Sequence, residues 1–117
     1  MYLDLKNNKD YIKLIEPAQI IKNGGLVIFP TETVYGIGAN GLDKNAIKKI
    51  YEAKQRPLNK PISLLVSNID MIESVAKDIT DIEYAIIKKF FPGPLTIILK
   101  KKETIPDILT AGSDTIG

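Results

Sequence analysis

Leu26-Val27-Ile28-Phe29 is the stretch that most limits the fold: four apolar residues without alternation, set between Asn23-Gly24-Gly25 and Pro30. A run of this kind predicts a central strand buried on both faces. A helix is expected just before it, because Tyr11, Ile12, Leu14, Ile15, Ala18, Ile20 and Ile21 are spaced for one. Pro17 belongs at a first helical turn, since an interior proline costs about 3 kcal/mol. The main helix is therefore predicted from Pro17 to Lys22, stopped by the glycines. Helix, glycine pair, buried strand is the rhythm of an α/β protein.

Past Pro30 the chain turns abruptly polar, through Thr31-Glu32-Thr33-Val34-Tyr35-Gly36-Ile37-Gly38-Ala39-Asn40. A strand running into hydroxyls, a carboxylate, an aromatic ring and two glycines is expected to form one wall of a small-molecule site. Pro30 stiffens the exit by fixing φ. Thr31 and Thr33 can bind an amino or carboxylate group, and Glu32 can pair with an ammonium. The alternative is a strand-end turn in which these side chains cap local amides. Gly36 to Gly41 matches G-x-G-x-x-G by letter, but the next helix starts only at Asp43, whose carboxylate would repel a phosphate there. Gly36 and Gly38 are expected to shape a loop instead. No G-x-x-x-x-G-K-[ST] sequence occurs.

Asp43 is a good N-cap for a helix over 44–54 with Ala46, Ile47, Ile50, Tyr51 and Ala53 inward, ended before Pro57. Further strands are predicted over 62–66 and 95–99, and a short one by alternation over 2–6. A short helix is expected over 69–76. Thr80 to Glu83 has capping-box spacing for a helix over 83–91 with Ala85, Ile86 and Phe90 inward. Lys100 to Lys102 reads as a solvated turn, residues 106–109 as a turn or short helix, and residues 112–117 as the start of another extended piece. Lys44, Lys48, Lys49, Lys88 and Lys89 have helix-surface spacing. The chain stops at Ile116-Gly117 as that piece begins, and is expected to be cut there.

Composition narrows the chemistry. With no cysteine and no histidine, thiolate nucleophiles, imidazole bases and the usual transition-metal sites are excluded. Net charge is +2 and Arg56 is the sole arginine, too little for a dedicated nucleic-acid or membrane binder. No apolar run approaches the roughly 20 residues of a membrane span, and the N-terminus lacks a signal core. A cytoplasmic location is expected. Within these limits, Lys54 and Arg56 flank one residue at a helix end, two apart and able to converge. Lys60 adds a third cation and Ser63 a hydroxyl. Such a set suits phosphate. The alternative is a dipole-favoured helix end followed by a solvated loop.

Taken together, Pro30 to Asn40, Lys54-Gln-Arg-Pro57 with Lys60-Pro-Ile-Ser63, Phe91-Pro-Gly-Pro-Leu-Thr96 and Thr110-Ala-Gly-Ser-Asp-Thr115 resemble the YrdC-like family of threonylcarbamoyl-AMP synthases. The resemblance covers nearly the whole chain. It implies a twisted mixed sheet flanked by helices, with residues 1–117 as a partial YrdC-like domain. It also implies a nucleotidyltransferase that forms threonylcarbamoyl-AMP and pyrophosphate from L-threonine, bicarbonate and ATP, for t6A37 modification of tRNA by a partner transferase complex. ATP would be a substrate, with Mg²⁺ bound through its phosphates and no metal held by the protein. The family's K-x-R motif matches Lys54 and Arg56, implied as the catalytic grip on the phosphates. Thr33 matches its threonine-site residue, with Thr31 beside it, and Lys60, Ser63 and Thr115 are implied near the nucleotide.

The family's domain continues with an arginine on the next strand and an S-x-N motif, neither of which these residues contain. Weak or absent adenylate synthesis by this chain alone is therefore expected. Two other functions remain open: an RNA-binding YrdC-like module, and a paralogue acting on another carbamoyl or adenylate substrate.

Overall fold

The computed structural model describes residues 1–7 and 10–117. A 3-10 turn over Asp10–Leu14 leads into helix α1, Ile15–Lys22, with Pro17 in its first turn as its chemistry requires. Gly24 follows at φ +82, and a Cβ there would lie 3.1 Å from Asp43 Oδ2. Only glycine suits both constraints. Lys49 Nζ donates to Gly24 O at 2.6 Å, so this lysine, exposed as expected, also ties the turn after α1 to the next helix. Residues 2–6 are irregular, with Tyr2 exposed and no strand partner among the described residues.

Strand β1, Val27–Phe29, pairs antiparallel with β2, Gly36–Gly38, in the register Val27↔Gly38 and Phe29↔Gly36. The expectation of burial on both faces fails, since Ile28 is 70% exposed. This hairpin is a two-stranded sheet, so one face of β1 stays open. The two glycines are strand residues, not loop formers. Their missing side chains leave room for Phe29, whose ring would meet a Cβ on Gly38 at 2.8 Å.

Helix α2, Lys44–Lys54, starts where Asp43 Oδ1 accepts from the amides of Asn45 and Ala46. It buries Ala46, Ile47, Ile50 and Tyr51, while Ala53 faces solvent. Helix α3, Ile69–Val75, is capped by Asn68 and runs into strand β3, Ala76–Lys77. Helix α4, Asp81–Phe90, has the full capping box of Thr80 and Glu83. Its inward residue is Ile87, fully buried. Ala85 and Phe90, expected inward, are exposed, and Ile86 is half-buried. Tyr84, half-buried, donates from its Oη to Glu73 Oε1 of α3 at 2.9 Å.

Strands β4, Leu99–Lys101, and β5, Thr115–Ile116, complete a second antiparallel sheet in the order β3-β4-β5. The strand expected over 95–99 thus starts at Leu99, and residues 95–98 join no ladder. The one expected over 62–66 is extended but not laddered. Ile62 N donates to Leu109 O and Leu64 N to Gly117 O, two bonds to separate partners. Lys100 and Lys101 are strand residues, contrary to the reading of a solvated turn. The Lys101 side chain is only 11% exposed, and its Nζ donates to Asp107 Oδ1 at 2.6 Å and Ile105 O at 3.1 Å.

The α/β class holds, in the form of two small antiparallel sheets and four α-helices among the described residues. One buried cluster joins Ile47, Tyr51, Val75, Ile105, Leu109 and Ile116. A second joins Ile72, Ala76, Ile87 and Leu99. The radius of gyration, 15.0 Å, exceeds the roughly 13 Å of a compact domain this long, which fits the many exposed apolar residues.

The Lys101–Asp107 bond gives a pH signature. Hydrogen bonding and charge attraction from Lys101 hold the Asp107 carboxyl below its usual range. A depressed folded pKa adds stability above the unfolded carboxylate pKa, and that contribution is lost as pH falls through the folded value. Urea unfolding of wild type and Asp107→Asn should therefore differ at neutral pH and converge once both states are protonated.

Candidate functional site

Three segments carry the residues singled out in the sequence. The first is the turn after β1. Thr31 Oγ1 donates to Val34 O, accepts from the amides of Thr33 and Val34, and lies 3.4 Å from Thr33 Oγ1. Its hydroxyl closes the turn, which is the local capping role weighed above. Thr33 is exposed, with Thr31 as its hydroxyl's neighbour.

The second segment is the basic loop. Gln55, left-handed at φ 48, ends α2 and swings the chain outward. Lys54 is exposed in the last helical turn, where the dipole favours a cation. Arg56 folds back on its own loop, Nε donating to Lys60 O at 3.3 Å and Nη2 to Pro61 O at 2.9 Å. That engages two of the five guanidinium N–H donors and leaves three for an anion. Among the described residues no ion pair involves Lys54, Arg56 or Lys60. Lys54 at the helix end and Arg56 and Lys60 on the loop beyond it are thus three cations without a carboxylate partner among the described residues.

The third segment follows the 107–110 turn. Thr110 is buried and its Oγ1 donates to Ser113 O at 2.9 Å, while the Ser113 and Thr115 hydroxyls pair at 2.9 Å. It joins the basic loop through Ile62 N to Leu109 O. Ser63 points away from the half-buried side of its segment, and a Cβ on Gly117 would meet its Oγ and Thr96 Cγ2, each at 3.1 Å. These three lie on the rim of an apolar cavity of about 330 Å³ between residues 63–66, 91–97 and β5. Of the predicted site residues only Ser63 lines it, and no charged side chain does. The structure places Lys54 at the end of α2 and Arg56, Lys60 and Ser63 on the chain beyond it, which Ile62 N ties to Leu109 O ahead of the segment of Thr115. No hydrogen bond among the described residues joins Thr31 or Thr33 to it.

A second, open cleft of about 420 Å³ is lined by Lys77 and Lys100 to Lys102, but also by Asp78, Glu103, Asp107 and Asp114. Four lysines facing four carboxylates make no anion site. Among the described residues, no group of three or more histidines, cysteines or carboxylates could hold a metal. No described helix is long and apolar enough to cross a membrane.

The family model Sua5_yciO_yrdC, described as "Telomere recombination", matches residues 19–117. The chain belongs to this family. The threonylcarbamoyl-AMP synthase of Pyrococcus abyssi is 48% identical over 99 residues, covering 85% of this chain and 29% of that protein. The threonylcarbamoyl-AMP synthase of Bacillus subtilis is 37% identical over 105 residues, covering 89% and 30%. The crystal structure of P. abyssi Sua5 complexed with L-threonine superposes with a TM-score of 0.86 at 46% identity, over 90% of this chain and 31% of that one. The chain therefore spans less than a third of the length of these relatives.

Tyr51 is the residue that sequence reasoning placed only in the core. A tyrosine in place of phenylalanine at an inward helix position was its signal, because a buried phenol needs a partner.

Proposed function

We propose that this chain carries the substrate-gripping part of an L-threonylcarbamoyladenylate synthase, which makes threonylcarbamoyl-AMP and pyrophosphate from L-threonine, bicarbonate and ATP. The observation that carries this is the loop of Lys54, Arg56 and Lys60, unneutralised by carboxylates and tied to the segment of Thr115. In the reaction, a carboxylated threonine attacks the α-phosphate and pyrophosphate leaves. Catalysis then rests on positioning and neutralising phosphate charge, with no imidazole or thiolate required. Lys54 and the free guanidinium edge of Arg56 take the phosphates, Lys60 adds charge, and Ser63 and Thr115 supply hydroxyls. Thr33 receives the threonine, with Thr31 holding its turn. Mg²⁺ arrives on the ATP phosphates. The product would feed a t6A transferase complex acting on tRNA, in the cytoplasm.

Titration calorimetry with Mg–ATP and with L-threonine tests this reading. Wild type is expected to bind both, and Thr33→Ala to lose threonine affinity by roughly fivefold to tenfold with ATP affinity kept. Turnover by these residues alone is expected to be weak or absent. Binding of tRNA with steep salt dependence, without ATP or threonine binding, would instead favour the RNA-binding module.

A further inference from the structure

We infer that Tyr51 is a positioning residue for the basic loop, joining it to the segment that carries Thr115. The ring lies in the core at 4% exposure, yet its hydroxyl faces backbone carbonyls of two separate loops. Tyr51 Oη donates to Lys60 O at 2.8 Å, with Ile108 O as a second acceptor at 3.2 Å. Lys60 O is also the acceptor of Arg56 Nε. One carbonyl thus receives both Tyr51, anchored in the core, and Arg56, which belongs to the proposed phosphate grip.

The geometry has a direct consequence. Ionised side chains on a solvated loop bind phosphate well only when the loop is already in place, since ordering it costs affinity. Helix α2 positions Lys54, and the loop beyond it is held by the Lys60 N to Pro57 O turn, by Arg56 and by Tyr51. Tyr51 reaches the loop by a side chain from the buried core, alongside the backbone bond of Ile62 N to Leu109 O. Its contact with Ile108 O ties the same point to the turn leading to Thr110 and Thr115. The hydroxyl therefore sits at the junction of both nucleotide-binding segments. This inference rests on the proposed function, because it takes the loop to be the phosphate grip.

Tyr51→Phe removes one oxygen and leaves the ring in the core. Mg–ATP and L-threonine affinities would be measured by calorimetry, with amide hydrogen exchange recorded on the same samples. The expected result is a threefold to tenfold loss of ATP affinity, roughly the net effect of one neutral hydrogen bond, with threonine affinity unchanged. Exchange at the Lys60 and Ile62 amides should quicken while the amides of α4 keep their protection. Equal ATP binding by wild type and Tyr51→Phe would overturn the inference and leave the proposed function standing. So would unchanged exchange at Lys60 and Ile62. A wild-type chain that binds no ATP would overturn the functional reading and this inference with it.

Discussion

Lys54→Ala is expected to weaken ATP binding roughly tenfold to hundredfold, the loss of one charge-assisted contact with phosphate. Its effect on unfolding should stay within about 0.5 kcal/mol, because Lys54 is exposed and unpaired among the described residues. Arg56→Ala should differ in kind. Its guanidinium donates to Lys60 O and Pro61 O, so its loss removes a phosphate ligand and loosens the loop together. Exchange at the Lys60 and Ile62 amides separates the two variants: slow in Lys54→Ala, fast in Arg56→Ala. Equal ATP affinity in wild type and Lys54→Ala would place the phosphate elsewhere.

The second large effect lies in the core. Ile87→Ala is expected to cost roughly 2–5 kcal/mol, since the side chain is fully buried against Ile72, Ala76 and Leu99. Against the 5–15 kcal/mol of a typical small domain that is a severe loss. Phe90→Ala, three residues on but half exposed, should cost less than about 2 kcal/mol despite the larger side chain. Urea midpoints for the two variants fix the rotation of α4. A larger loss at Phe90 than at Ile87 would mean that the helix turns its other face inward.

That comparison shows where the sequence was legible. Helix caps are legible because their signals are local: Asp43 caps α2, and Thr80 with Glu83 caps α4, although α1 starts at Ile15, ahead of Pro17, and α4 at Asp81, ahead of Glu83. Which face of α4 turns inward goes with Ile87 meeting Ile72, Ala76 and Leu99 of other elements, contacts that periodicity does not contain. Strand ends were read poorly for a related reason. Residues 62–66 and 95–98 have strand composition, but a ladder needs a neighbour in register, and their backbone partners are few or absent among the described residues. Gly36 and Gly38 look like loop formers until the ring of Phe29 lies across them.

The candidate site divides in the same way. The basic loop was visible as three cations and a proline within a few residues. The inward fold of Arg56 and the bridging hydroxyl of Tyr51 depend on carbonyls that no side-chain pattern announces. Thr31 and Thr33 look equivalent in sequence, but the hydrogen bonds separate them: Thr31 closes the turn and Thr33 faces out.

The central claim is that the loop from Lys54 to Ser63, with the segment to Thr115, grips ATP, while the turn at Thr31 to Thr33 receives threonine. Backbone amide NMR during separate titrations with Mg–ATP and L-threonine tests this most directly. ATP should shift the amides of residues 54–63 and 110–115, and threonine those of residues 31–35. Shifts confined to the charge-balanced cleft of Lys77 and Lys100 to Lys102, or no shift with either ligand, would contradict it.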